Sequence, residues 1–172
     1  MGFAREADQK HAARLRTVVD EAIACLARDP KKDGIQLTID VPDVQLAISP
    51  LNLQQVLLNL FLNARRAMKR TGGKLIVSAK VIGSLVHLEV ADTGPGIPEA
   101  IKDRLFEPFA THRPDPGDGS EAGERKGTGL GLCICRDLIR NAGGTIGVES
   151  EPGKGAKFQI VLPKADDLFE GT

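Results

Sequence analysis

Neither sign of charge dominates this sequence: 23 lysines and arginines balance 23 aspartates and glutamates. A nucleic-acid binder would show a basic excess, so that class is not expected. No hydrophobic run approaches the ~20 residues of a membrane-spanning helix, so direct membrane contact is not expected either. The N-terminus reads Met1-Gly2-Phe3-Ala4-Arg5-Glu6 and lacks the apolar stretch of a signal peptide. Its Met-Gly start is not a myristoylation signal, because Glu6 stands where a serine or threonine is required. Cysteines are few: Cys25, Cys133 and Cys135, with no Cys-x-x-Cys spacing. An odd, sparse set argues against a disulfide framework or a zinc site. Cys133 and Cys135 project from different faces of a helix, so they are poor joint ligands. All three read as small core residues in a reducing cytoplasm.

What is present fits one soluble domain with tails. The chain has 172 residues, 41% hydrophobic and 27% charged, enough to bury a core without disulfides or a structural metal. Over residues 12–28, Leu15, Val18, Val19, Ala22, Ile23 and Leu26 recur at helical spacing. Asp29-Pro30 stops that helix. Ile35, Leu37 and Ile39 alternate with polar residues as in a half-buried strand, and residues 44–48 read as a second one. Ser49-Pro50 then opens the strongest helix, with Ser49 as its cap. Its apolar face is Leu53, Val56, Leu57, Leu60, Phe61, Ala64 and Met68. Residues 74–82 and 85–91 form a hairpin across Gly83-Ser84. A turn-rich loop, 92–98, and a short helix, 99–105, follow.

Residues 110–126 carry Pro114, Pro116, Gly117, Gly119 and Gly123 and show no periodicity. A loop of that length in a compact domain is commonly a lid. A helix over 130–141 and a hairpin of 145–149 with 156–162 complete the chain. Strand runs arrive in pairs, not in βαβ alternation. That pattern predicts an α+β two-layer sandwich, a mixed and mostly antiparallel sheet with helices on one face, and disfavours a doubly wound fold.

Three clusters bear chemistry. Gly127-Thr128-Gly129-Leu130-Gly131 precedes a helix, where free amides and the helix dipole make an anion site. It is neither a dinucleotide fingerprint nor a P-loop. Alone, it reads equally well as a hinge. Asp92-Thr93-Gly94-Pro95-Gly96-Ile97 places a carboxylate at a strand end, where it can accept a hydrogen bond from an exocyclic amine. Alone, it reads also as an Asx-turn. Asn59 and Asn63 share a helix face beside the core stripe, and two such amides need partners. A neighbouring loop or an Mg²⁺ ion would serve. Arg66, three residues on, is within reach of a phosphate.

In chain order, Asn59/Asn63, Asp92–Gly96, Phe106-Glu107-Pro108-Phe109 and Gly127–Gly131 resemble the four signature boxes of the histidine-kinase catalytic domain. That domain has the Bergerat ATP-binding fold, shared with the chaperone, mismatch-repair and type II topoisomerase ATPases. Residues 143–158 resemble the closing hairpin of the family, and the likeness runs over 17–163. Residues 1–16 then read as a tail or linker-helix remnant, and 164–172 as a tail. The resemblance implies that Asp92 holds the adenine amino group, with Gly94, Gly96 and Ile97 shaping its pocket. Asn63 and Asn59 would bind Mg²⁺ and orient the phosphates. Gly127, Thr128, Gly129, Leu130 and Gly131 would wrap the triphosphate under a lid over 110–126. Phe106 and Phe109 would anchor that lid. The related subclass carries Phe-Phe-Thr-Thr-Lys where this chain has Phe109-Ala110-Thr111-His112-Arg113, so Arg113 would replace the lysine. Arg125 and Lys126 are further phosphate contacts or a solvated charge pair.

The ATPase branches carry glutamate at the position of Asn59. A carboxamide cannot take a proton as a general base. The resemblance therefore favours ATP–Mg²⁺ binding and phosphoryl donation over hydrolysis. The other reading is a nucleotide-binding switch or ATPase module of the same fold. None of the histidines, His11, His87 and His112, sits in the family's acceptor motif; Ala12 follows His11 where an acidic residue belongs. The acceptor histidine is expected on upstream dimerisation helices, with a response regulator as the next partner. The domain is expected to be cytoplasmic, whether or not its parent protein is membrane-anchored.

Overall fold

A computed structural model describes residues 12–26, 29–107 and 131–165. The chain begins there with a two-residue strand, β1 (Ala13–Arg14), and passes directly into α1 (Leu15–Ala24). A 3-10 turn at Pro30–Asp33 leads to β2 (Ile35–Asp40), and β3 (Gln45–Leu46) follows. Next come α2 (Pro50–Met68), β4 (Gly73–Ile82) and β5 (Leu85–Asp92). The remaining elements are α3 (Glu99–Lys102), α4 (Gly131–Asn141), β6 (Thr145–Ser150) and β7 (Ala156–Pro163).

The main sheet has the order β2-β4-β5-β7-β6. All its pairs are antiparallel except β2 with β4, which run parallel from Ile35 opposite Gly73 to Asp40 opposite Ser78. A parallel pair needs a crossover, and α2 lies within it. The domain thus contains one βαβ unit that the pairwise spacing of strands does not reveal. The register of that pair is set where two glycines meet. Gly72 has φ +66°, and a Cβ there would come within 2.7 Å of the Gly34 carbonyl oxygen. The Gly72 amide donates to the Met68 carbonyl at 2.8 Å and ends α2, while Gly73 donates to Gly34 at 3.2 Å. Only a residue without a side chain passes here, so both parallel strands start from one point.

The helices cover one face of the sheet. Inward positions alternate along each strand: Leu75 and Val77, Val86, Leu88 and Val90, Phe158, Ile160 and Leu162 are buried. Against them lies the apolar stripe of α2, all seven residues of it buried. Each such side chain contributes roughly 1.5–3 kcal/mol by leaving water, which makes α2 the main link between layers. It lies over β4 and β5 and packs against α1 on one flank and α4 on the other. The architecture is the expected two-layer α+β sandwich.

Four local expectations fail, the first being that Cys25 is a core residue: it lies exposed just past the end of α1. The first helix begins at Leu15, not at residue 12. Ala13 and Arg14 pair instead with Leu46 and Gln45, and the Leu15 amide donates to the Val44 carbonyl at 2.9 Å. Ser49 makes no side-chain capping bond; its carbonyl accepts from the Leu53 amide at 3.0 Å, and Pro50 alone shapes the first turn. Strand β3 is shorter than the expected 44–48 and stands outside the main sheet. It also receives the end of the described chain: Lys164 bridges to Leu46, and the Ala165 amide donates to the Gln45 carbonyl at 2.9 Å.

Candidate functional site

Helix α2 is the rail on which the site is laid. Asn59, Asn63 and Arg66 project from one side of it, away from the buried stripe; both asparagines are half-buried and Arg66 is exposed. The Asn59 carboxamide has a defined orientation. Its Nδ2 lies 3.4 Å from the carbonyl of Gly131, the first residue of α4. A carbonyl can only accept, so the group facing it is the amine, and Oδ1 is left as an acceptor without a partner among the described residues. The same Nδ2 lies 3.6 Å from Cys135 Sγ, and that thiol in turn donates to the Val56 carbonyl at 3.8 Å. Cys135 is fully buried, and burial pushes its thiol up to about 11, against the Asn59 bond and its own backbone bond, which lower it. It stays protonated at neutral pH. Cys133, two residues earlier, is half-buried and faces elsewhere.

Two helical turns further along α2 lies the acidic loop. Asp92 ends β5 on the core-facing side, opposite Ala156 of β7. Its Oδ1 accepts from the Gly94 amide at 2.9 Å. The Asx-turn is therefore real, and a carboxylate with its several lone-pair sites keeps acceptor capacity for a further donor. Burial pushes the Asp92 carboxyl above its ordinary value; bonds from the Gly94 and Ala156 backbones oppose the shift. A Cβ on Gly94 would meet Ala67 Cβ at 3.2 Å and Met68 Cγ at 3.3 Å, so the loop lies on the last turn of α2.

The loop is closed from behind by the β6–β7 turn. Gly153 donates to the Pro95 carbonyl at 2.8 Å. A Cβ on Gly96 (φ +81°) would approach the Glu151 carbonyl to 2.5 Å, and one on Gly155 (φ +84°) would overlap the Asp92 carbonyl. Glycine at both positions lets two backbones touch. Ile97 is half-buried and donates to Ser150 Oγ at 2.8 Å. Phe106 stands edge-on to Phe158, with ring centroids 6.4 Å apart and planes at 89°, which ties the segment after α3 to the core of the sheet.

The structure thus brings Asn59, Asn63, Asp92, Gly94, Gly96, Ile97 and Gly131 to one flank of α2. From Asn59 to Ala67 is about 12 Å along the axis, with Asn63 between. Phe109, Arg113, Lys126, Gly127, Thr128, Gly129 and Leu130, with the lid expected over 110–126, His11 and His112, lie outside the described residues. His87 lies on β5, half-buried, on the face turned away from the helices. Cys135 is the core residue its sequence context predicts, while the contacts of Ser150 and Gly155 emerge only in the structure. Ser150 had a visible signal: it occupies the inward position after Ile146 and Val148, where an apolar residue belongs.

The arrangement offers a half-buried carboxylate acceptor, a flank of amide oxygens and the first residue of α4. Among the described residues no group of three His, Cys, Asp or Glu is placed to hold a metal ion. The amide oxygens of Asn59 and Asn63 suit a hard cation that keeps most of its waters and shares phosphate oxygens. No described helix is long and apolar enough to cross a membrane.

Known proteins place this geometry. The family model described as "Histidine kinase-, DNA gyrase B-, and HSP90-like ATPase" matches residues 48–166. The signal transduction histidine-protein kinase BarA of Escherichia coli (strain K12) is 34% identical over 151 residues, which cover 84% of this chain and 16% of BarA. The chain therefore spans less than a fifth of that relative's length. The nucleotide-free catalytic domain of histidine kinase ThkA superposes with TM-score 0.74 at 28% identity, covering 90% of this chain and 97% of that domain. A structure of ThkA in complex with response regulator protein TrrA aligns with TM-score 0.68 and 26% identity, over 90% of this chain and 41% of that one. Full-length ShkA in complex with AMPPNP aligns with TM-score 0.67 and 29% identity, over 88% of this chain and 30% of ShkA. The chain belongs to the histidine kinase-, DNA gyrase B- and HSP90-like ATPase family, and its fold is that of a histidine kinase catalytic domain.

Proposed function

We propose that this chain binds ATP with Mg²⁺ and donates the γ-phosphoryl group to a histidine on a separate phosphoacceptor domain. The observation that carries the reading is the alignment along α2. The Asp92 carboxylate stands at one end, Asn63 and Asn59 follow, and the first residue of α4 touches Asn59. That order matches base, metal and phosphates of one extended nucleotide. Asp92 accepts from the adenine amine, and Gly94, Gly96 and Ile97 shape the pocket around the ring. Asn63 and Asn59 present amide oxygens to Mg²⁺. Arg66, Arg113, Lys126 and the run Gly127–Gly131 attend the phosphates. Mg²⁺ supplies charge neutralisation at the phosphate oxygens.

The chain's own residues hold the nucleotide but offer no base at Asn59, whose amine is committed to Gly131 and Cys135. An amide activates no water. A neutral imidazole needs no such help: its ring nitrogen attacks the γ-phosphorus, the bond to the bridging oxygen breaks, and ADP departs. The acceptor belongs on upstream dimerisation helices of a longer protein, and a response regulator is the next partner. The domain works in the cytoplasm, for a parent anchored in a membrane or not.

The test mixes the purified chain with its parent's dimerisation helices and γ-labelled ATP. Acid-labile, base-stable label on the helices is expected, and none on the chain alone. Phosphate release without label on the helices would replace the kinase reading with that of an ATPase module; robust phosphohistidine on the chain alone would also overturn it.

A further inference from the structure

Ser150 is a buried polar residue, 6% exposed, in a core otherwise composed of apolar side chains among the described residues. It ends β6 on the inward side, and its hydroxyl has work at two places. It accepts from the Ile97 amide at 2.8 Å and donates to the Gly155 carbonyl at 2.9 Å. Its own carbonyl accepts from Lys102 Nζ at 2.9 Å, which ties α3 to the same point. The two groups joined by the hydroxyl lie at opposite ends of the acidic loop. Gly155 presses on the Asp92 carbonyl and on Thr93, while Ile97 closes the far end. Between them the loop has no ladder of its own.

A hydroxyl can donate once and accept at the same time. Alanine at this position would leave a buried N–H and a buried C=O without partners. The loop would keep its bonds at Thr93 to Lys74, at Gly94 to Asp92 and from Gly153 to Pro95, but lose the one link that joins Ile97 to Gly155.

We propose that Ser150 is a positioning residue for base recognition: its hydroxyl spans the loop between Asp92 and Ile97 and holds the carboxylate where it tells adenine from guanine. This inference rests on the assignment of Asp92 to the base. Adenine presents an amine donor where guanine presents a carbonyl acceptor. A carboxylate accepts from the first and repels the second, but only if it is held in place. Lost positioning therefore weakens ATP and spares GTP. A merely structural loss would weaken both together.

The experiment is calorimetry of ATP and GTP, each with Mg²⁺, on the 172-residue chain and three variants. Ser150→Ala is expected to raise the ATP Kd about tenfold while the GTP Kd holds within about twofold. Ser150→Thr, which keeps the hydroxyl, is expected to restore the ATP preference. Hydrogen exchange on the unaltered chain gives a second readout that needs no variant to fold: the Ile97 amide should be protected before nucleotide is added. The inference is overturned by a folded Ser150→Ala chain with the original ATP-to-GTP ratio, by equal losses for both nucleotides, by a Thr variant no better than Ala, or by an unprotected Ile97 amide. Asp92→Asn separates the two levels. If it leaves ATP affinity unchanged, the assignment of Asp92 fails; if it weakens ATP and Ser150→Ala does not, only the role of Ser150 fails.

Discussion

The two ends of the α2 flank are built differently. At Asp92 the loop is tied by short bonds to Ser150, Gly153 and Gly94 and by backbone contacts at Gly96 and Gly155. At Asn59, among the described residues, one carboxamide reaches Gly131 at 3.4 Å and Cys135 at 3.6 Å. The first end is pre-organised by the fold before any ligand arrives. The second is oriented but lightly held. Preorganisation lowers the ordering cost of binding, so a base should dock into a finished pocket and phosphates onto an adjustable one.

Gly155→Ala should break the tight end most severely. It forces a side chain into positive φ and against the Asp92 carbonyl. A loss of about 3 kcal/mol in urea unfolding is expected, and a loss under about 0.5 kcal/mol would mean that the turn gives way easily. Asp92→Asn comes next. It should weaken ATP roughly 30-fold in calorimetry, the worth of one hydrogen bond to a charged group, while the fold survives. Its pH behaviour has a fixed sign. Burial raises the folded carboxyl above its ordinary 3.8, so the native state keeps that proton to higher pH than the unfolded chain. The stabilisation is complete below the ordinary value and is lost as pH rises through the raised one. Asp92→Asn removes that slope, so its stability relative to the unaltered chain should climb with pH across the window and then level. ATP affinity of the unaltered chain should fall as pH drops through the same window.

At the loose end the effects should be smaller and confined to binding. Asn63→Ala is expected to cost about tenfold in affinity for ATP with Mg²⁺ and little in the presence of EDTA. Equal losses in both conditions would remove Asn63 from the metal. Cys135→Val, which keeps the volume but frees the Asn59 amine, should cost under about 1 kcal/mol in stability and about twofold in ATP affinity. A loss at Cys135 as large as that at Gly155 would erase the contrast between the two ends.

Much of this was legible in the residues because the informative patterns are local. The 3.6-residue repeat of α2, the Gly83-Ser84 hairpin and the alternation in β7 need only neighbours a few positions away. Asn59 and Asn63 stand on one helix face for the same reason. What stayed hidden depends on distant partners. Ala13 and Arg14 continue a helical pattern on paper, and only Leu46 and Gln45 draw them into a strand. The parallel pairing of β2 with β4 follows from Gly34 meeting Gly72, which no spacing rule encodes. Ser150 and Gly155 gain meaning only once the last hairpin folds back over Asp92.

The small strand β3 has a mechanical consequence. Ala13 and Arg14 lie along one side of it, and Lys164 and Ala165 bond to its other side. The described chain thus comes in and goes out at one spot, with two residues wedged between. Tension applied across residues 12 and 165 loads this wedge before it loads any strand of the five-stranded sheet. A pull would unzip a handful of bonds at Gln45–Leu46 and leave the flank of α2 proposed to hold the nucleotide unstretched.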